Sequence, residues 1–162
     1  MPDILLGFGG NLGDVPAAIE RALVKLPRRG VTVNATSRLY RTTPWGSLDQ
    51  PDFINACSVC STNLPPCDLL AITQELEREG GRRPGERWGP RALDIDILAY
   101  DDLALATPGL TLPHPRLTER AFVLVPLAEI APAWMVEGRP IRDWAAQVGS
   151  TGTEPMTPVP ET

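Results

Sequence analysis

Leu93-Asp94-Ile95-Asp96-Ile97-Leu98 constrains this chain more than any other stretch: it is an apolar run broken by two carboxylates, two residues apart. Isoleucine-rich runs favour extended backbone, and apolar residues on both sides suit a central strand better than a solvated acidic edge. In a strand, successive side chains point to opposite faces, so Asp94 and Asp96 share one face. Neighbouring carboxylates repel each other and resist desolvation unless positive charge sits on them. Mg²⁺ suits such a pair, because one or two carboxylates hold it while substrate phosphates complete its shell. Arg82, Arg83, Arg87 and Arg91 lie just upstream, and guanidinium forks bind phosphate oxygens bidentately. Alone, loop arginines end as often in surface salt bridges. Beside the carboxylates, they predict metal-assisted phosphoryl transfer.

The 162 residues suit one domain, and a net charge of −5 argues against binding long polyanions. No apolar run reaches the ~20 residues of a membrane span. Met1 to Leu6 carries no basic leader, so a cytoplasmic protein is expected. Three cysteines form no disulfide framework. Cys57 and Cys60, three apart in an expected strand, face opposite sides and read as buried thiols.

Along the chain, Ile4 to Phe8 predicts a buried strand ending in a Gly9-Gly10-Asn11-Leu12-Gly13 turn. Asp14 should cap a helix with Val15, Ala18, Ile19, Ala22, Leu23 and Leu26 inward. The glycines do not fit G-x-G-x-x-G, so a dinucleotide site is not favoured. Val31 to Tyr40 alternates as one amphipathic strand, and Phe53 to Thr62 as another. The long loop between them reads as functional. Pro65-Pro66 opens a second helix, and Gly80-Gly81 ends it before an arginine-rich lid. The carboxylate strand runs from Leu93 to Tyr100. Short helices are expected near Leu117 to Leu127 and over Ile141 to Val148. Residues 1–148 read as a single catalytic domain and 149–162 as a disordered tail. The order predicts an α+β, ferredoxin-like βαββαβ sandwich, with a mainly antiparallel sheet and helices on one face.

Arg87-x-Gly89-Pro90-Arg91-x-x-Asp94-Ile95-Asp96-Ile97-Leu98 resembles the signature of the 6-hydroxymethyl-7,8-dihydropterin pyrophosphokinase family. Gly9 to Gly13, Tyr40-Arg41-Thr42-Thr43-Pro44-x-Gly46, Gln50 to Asn55 and Leu112-Pro113-His114 resemble further landmarks in the same order. The resemblance implies transfer of pyrophosphate from ATP to the pterin hydroxymethyl group, releasing AMP. It assigns two Mg²⁺ ions to Asp94 and Asp96, and catalytic charge neutralisation to Arg82 and Arg91. Thr42, Thr43, Pro44, Trp45, Phe53, Asn55 and Phe122 would hold the pterin. Gln74, Glu77, Arg83, Arg87, Trp88, Ile97, Leu110, Thr111, His114 and Arg120 would bind ATP. It implies a monomer acting on these two small molecules, with no nucleic-acid or membrane partner. Departures from the pattern are a lid shorter by one residue, Pro84, Gly109, and Phe53 in place of a tyrosine. The alternative is a non-catalytic nucleotide- or RNA-binding module on the same sheet. The net charge and the absence of paired aromatics in a strand motif weigh against it.

Overall fold

In the computed structural model, residues 1–43, 51–81 and 92–156 are described. Ile4, Leu5 and Leu6 are fully buried on the first strand, β1 (Asp3–Gly10). Adjacent residues of one strand are buried only when both sheet faces are covered. β1 is accordingly the middle of the sheet. It pairs antiparallel with β4 (Phe53–Thr62) on one edge and β5 (Asp94–Tyr100) on the other.

The expected single strand from Val31 to Tyr40 is two strands, β2 (Val31–Thr36) and β3 (Tyr40–Thr42), placed end to end along the outer edge of β4. Ser37 makes the joint. Its N–H donates to the Cys57 carbonyl at 2.9 Å, and its Oγ accepts the Cys57 N–H at 3.0 Å. A side chain thus replaces one rung of the ladder where the strand breaks.

Helix α1 (Val15–Lys25) starts as expected, with Asp14 Oδ1 accepting the Ala17 N–H at 3.1 Å. With α2 (Pro66–Glu79) it covers the face formed by Ile4, Leu6, Phe8, Ile95 and Ile97. The opposite face, with Leu5, Cys57 and Leu98, is covered by α3 (Ala121–Ile130) and α4 (Ile141–Val148). Helices on one face only, the expectation from α1 and α2, is therefore corrected. Leu5 and Leu98 make the second face too apolar to meet water. The expected helix near Leu117 begins as a 3₁₀ turn, Leu117–Glu119, and becomes α-helical only at Ala121. Between β5 and this turn lies a small ladder of β6 (Leu105–Ala106) and β7 (Thr111–Leu112). A second ladder, β8 (Met135–Val136) with β9 (Arg139–Pro140), precedes α4.

The fold remains the expected α+β ferredoxin-like one, with β5-β1-β4-β2 as its four-strand core. One further strand lies within the stretch expected to be disordered: β10 (Thr153–Pro155) pairs antiparallel with β3 at the sheet edge. No helix among the described residues is long and apolar enough to cross a membrane.

Candidate active site

The sheet register assembles the site. Gly9 of β1 stands opposite Asp94 on one side and Asn55 on the other, and Asn55 in turn stands opposite Tyr40. Gly7 likewise stands between Asp96 and Cys57. Cross-strand partners share a face, so Asp94, Asp96, Asn55 and Tyr40 all lie on the side of the sheet that carries Leu98. The carboxylates and the amide belong to strands two spacings apart, roughly 10 Å. Between them β1 presents no side chains. A Cβ on Gly9 would come within 2.5 Å of Asn55 Nδ2, and one on Gly7 within 3.3 Å of Leu98 Cδ1. These glycines form a trough whose two banks carry different chemistry. Gly9 and Gly10 belong to the strand rather than to the expected turn. The period-two spacing of Gly7 and Gly9 was the available signal for this floor.

On the first bank, Asp94 is partly exposed and Asp96 exposed, while Ile95 and Ile97 are buried on the far side. The shared face predicted for the aspartates is present. Glu77, buried on α2, accepts the Ile95 N–H through Oε2 at 2.8 Å, fastening the outer edge of β5. The side chain of Ile97 lies in the α1–α2 core. Gln74 and Thr111 are exposed, and Leu110 is half-buried against that core.

His114 donates its backbone N–H to the Leu98 carbonyl at 2.8 Å, which holds the proline-flanked segment against β5. Its Nδ1 accepts the Arg116 N–H at 3.1 Å, so the neutral ring carries its proton on Nε2. Burial lowers the imidazole pKa. The Asp96 carboxylate opposes that shift, and the Arg120 and Arg116 guanidiniums reinforce it. Asp96, Arg120 and Arg116 therefore each act electrostatically on His114. Arg120 also sits 5.4 Å from the centre of the Phe122 ring.

On the second bank, Phe53 is paired with Thr42 across β4 and β3. Phe122 is half-buried in the first turn of α3. Thr42 and Asn55 are both buried, and among the described residues Thr42 Oγ1 and Asn55 Oδ1 find no hydrogen-bond partner. Buried oxygens left this way cost stability unless something else satisfies them. Asn11, which sequence reasoning did not single out as a site residue, is buried at the end of β1, and its Nδ2 donates to the Pro51 carbonyl at 3.2 Å. Cys57 lies under the trough, and its thiol pKa is pushed up by burial and then by Asp96. It is an inert packing group.

Thr43 is exposed beside Thr42. The expectations for Pro44, Trp45, Arg82, Arg83, Arg87, Trp88 and Arg91 fall outside the described residues. Among the described residues no three His, Cys, Asp or Glu side chains gather around one point. Two carboxylates beside an open trough fit Mg²⁺, which takes its remaining oxygens from phosphate and water.

A carboxylate bank and an aromatic, amide-bearing bank on one face of a ferredoxin-like sheet suit phosphoryl transfer, and the family that the sequence matches is one of transferases of the kinase class. Residues 5–132 match the family described as 7,8-dihydro-6-hydroxymethylpterin-pyrophosphokinase (HPPK), and the chain belongs to that family. It is 44% identical over 150 residues to the 2-amino-4-hydroxy-6-hydroxymethyldihydropteridine pyrophosphokinase of Methylorubrum extorquens, covering 92% of this chain and 95% of that one. The protein of the same name from Bacillus subtilis is 43% identical over 126 residues, covering 77% and 75% of the two chains. Plasmodium falciparum HPPK-DHPS is similar in fold, with a TM-score of 0.68 at 15% identity over 91% of this chain. This chain spans 43% of that longer one.

Proposed function

We propose that this protein transfers pyrophosphate from ATP to the hydroxymethyl oxygen of 6-hydroxymethyl-7,8-dihydropterin, giving AMP and the pterin pyrophosphate. The observation that carries this reading is a pair of buried oxygens, Thr42 Oγ1 and Asn55 Oδ1, that have no hydrogen-bond partner among the described residues and lie on the face that carries the paired carboxylates. Asn55 Oδ1 can only accept hydrogen bonds, so its partner must present N–H or O–H donors. A pterin edge, with its amino group and ring N–H, supplies such donors. Phe53 and Phe122 would enclose the flat ring by stacking. Seated there, the pterin would direct its hydroxymethyl arm across the glycine floor towards Asp94 and Asp96.

Those two carboxylates would hold Mg²⁺, which when bound neutralises triphosphate charge and orients it for in-line attack. His114, kept neutral with its proton on Nε2, would donate to a phosphate oxygen, and Arg120 would add positive charge on the same side. Arg82 and Arg91 would neutralise the charge that develops on the migrating group, the role that the family resemblance implies for them. The hydroxymethyl oxygen gives up its proton to water and forms its bond to the β-phosphorus as the bond from that phosphorus to the α,β-bridging oxygen breaks, and AMP leaves carrying the bridging oxygen.

The test is direct. Incubation with ATP, Mg²⁺ and 6-hydroxymethyl-7,8-dihydropterin should yield AMP and a pterin pyrophosphate in equal amounts. Release of ADP, or no turnover, would overturn the assignment.

A further inference from the structure

The chain continues beyond the stretch matched to the family, residues 5–132. Its last described element, β10, does not merely trail away. Thr153, Glu154 and Pro155 pair with Thr42, Arg41 and Tyr40. The strand is pinned at both ends: the Thr43 N–H donates to the Gly152 carbonyl at 3.3 Å, and the Met156 N–H to the Leu39 carbonyl at 3.0 Å. A tight turn feeds it. Thr153 N–H closes back on the Ser150 carbonyl at 3.0 Å, and Gly152 adopts φ +81°, a conformation that disfavours side chains.

β3 has only three residues and is held on its inner edge by β4 alone. Such a strand has little intrinsic persistence, yet it carries the buried Thr42, whose Oγ1 has no hydrogen-bond partner among the described residues. Its Tyr40 stands beside Asn55 and donates its hydroxyl to Glu129 Oε1 on α3. Thr153 is cross-strand partner to Thr42 and is only 4% exposed. It is a buried wall residue rather than part of a frayed end.

We infer that the C-terminal strand β10 is a working part of the acceptor site: by completing both edges of β3 it fixes Thr42 and the Tyr40–Asn55 row in the geometry that receives the pterin. Thr153 and Gly152 are thus positioning residues. This rests on the assignment of Thr42 and Asn55 to the pterin. The nucleotide bank on β5 lies across β3, β4 and β1 from β10 and does not depend on it.

The experiment uses full-length protein throughout. Gly152→Pro removes the positive φ that the turn needs, and Thr153→Asp places a carboxylate in a buried position. Each should raise KM for the dihydropterin about tenfold, the scale of one lost ordering contact, with KM for ATP and kcat at saturating pterin within about twofold. Equal effects on both substrates, or none, would overturn the inference. Hydrogen exchange on the unaltered protein gives a readout independent of mutant folding. Added dihydropterin should slow exchange in residues 151–156, and an ATP analogue alone should not. Unchanged exchange with bound pterin would also overturn it. Asn55→Ala separates the two layers of the claim. If that variant keeps its pterin KM, the site assignment itself fails; if only the β10 measurements are flat, the site stands and β10 is passive.

Discussion

Gly9 shows how a single missing side chain can define a site. Asn55 Nδ2 occupies the space that a Cβ on Gly9 would enter. Gly9→Ala would ordinarily favour a strand by about 0.5–1 kcal/mol relative to glycine. Here the methyl at 2.5 Å from Nδ2 must instead push the Asn55 amide off its position. The expected result is a folded enzyme whose KM for the dihydropterin rises about tenfold or more while KM for ATP holds, since one displaced hydrogen-bonding group costs on the order of 1–2 kcal/mol. Steady-state kinetics with each substrate varied in turn would show it. An unchanged pterin KM would mean that Asn55 does not read the pterin.

At the scale of elements, α1 and α2 are fastened where α2 ends. Glu79 accepts from Lys25 Nζ at 2.8 Å and from Arg29 through two nitrogens, at 2.6 and 2.8 Å; Arg29 also reaches Glu75 at 3.1 Å. Hydrogen bonds from Arg29 first, then Lys25, bring the Glu79 pKa down to about 2. A carboxyl whose pKa is lower in the folded than in the unfolded state contributes stability above its ordinary value of 4.5. That contribution is lost as pH falls from there towards 2. NMR titration of the Glu79 carboxyl should show this low value in the native protein and a return towards 4.5 in Arg29→Ala. The change in melting temperature should be small, because these charges are solvent-screened. A normal Glu79 titration in the native protein would mean that the clamp does not persist in solution. Legibility differed among elements for physical reasons. Helices α1, α2 and α4 were readable from apolar period, capping and proline starts, and β5 from its alternating aspartates. The break between β2 and β3 was not, because Ser37 makes it with a side chain standing in for a ladder bond, and no period records that. β10 was hidden for a similar reason. Its composition resembles a disordered tail, and only the open edge of β3 gives it something to pair with.

Across the whole molecule, one sheet separates two cores, and the trough opens on only one of them. The shared face of the two carboxylates was legible because Asp94 and Asp96 stand two residues apart in one strand. The trough was not, because it arises from Gly7, Gly9, Asn55 and Tyr40 meeting through register across three strands. That asymmetry predicts a division between stability and function. Ile19 on α1 and Leu124 on α3 are both buried, 2% and 0% exposed, in opposite cores. Truncating either to alanine should cost about 2–5 kcal/mol, depending on how far each cavity collapses. Urea denaturation would measure both losses. Their catalytic consequences should diverge. Leu124→Ala loosens α3, which carries Phe122 at one end and the Glu129 partner of Tyr40 at the other, so pterin KM should rise. Ile19→Ala leaves the trough face packed, so pterin KM should stay within about twofold of the parent at a comparable loss of stability, as expected for sites without shared partners. Equal rises in both variants would mean that the two cores act on the site as one body, and that the face bearing Asn55 and the carboxylates has no privileged support from α3.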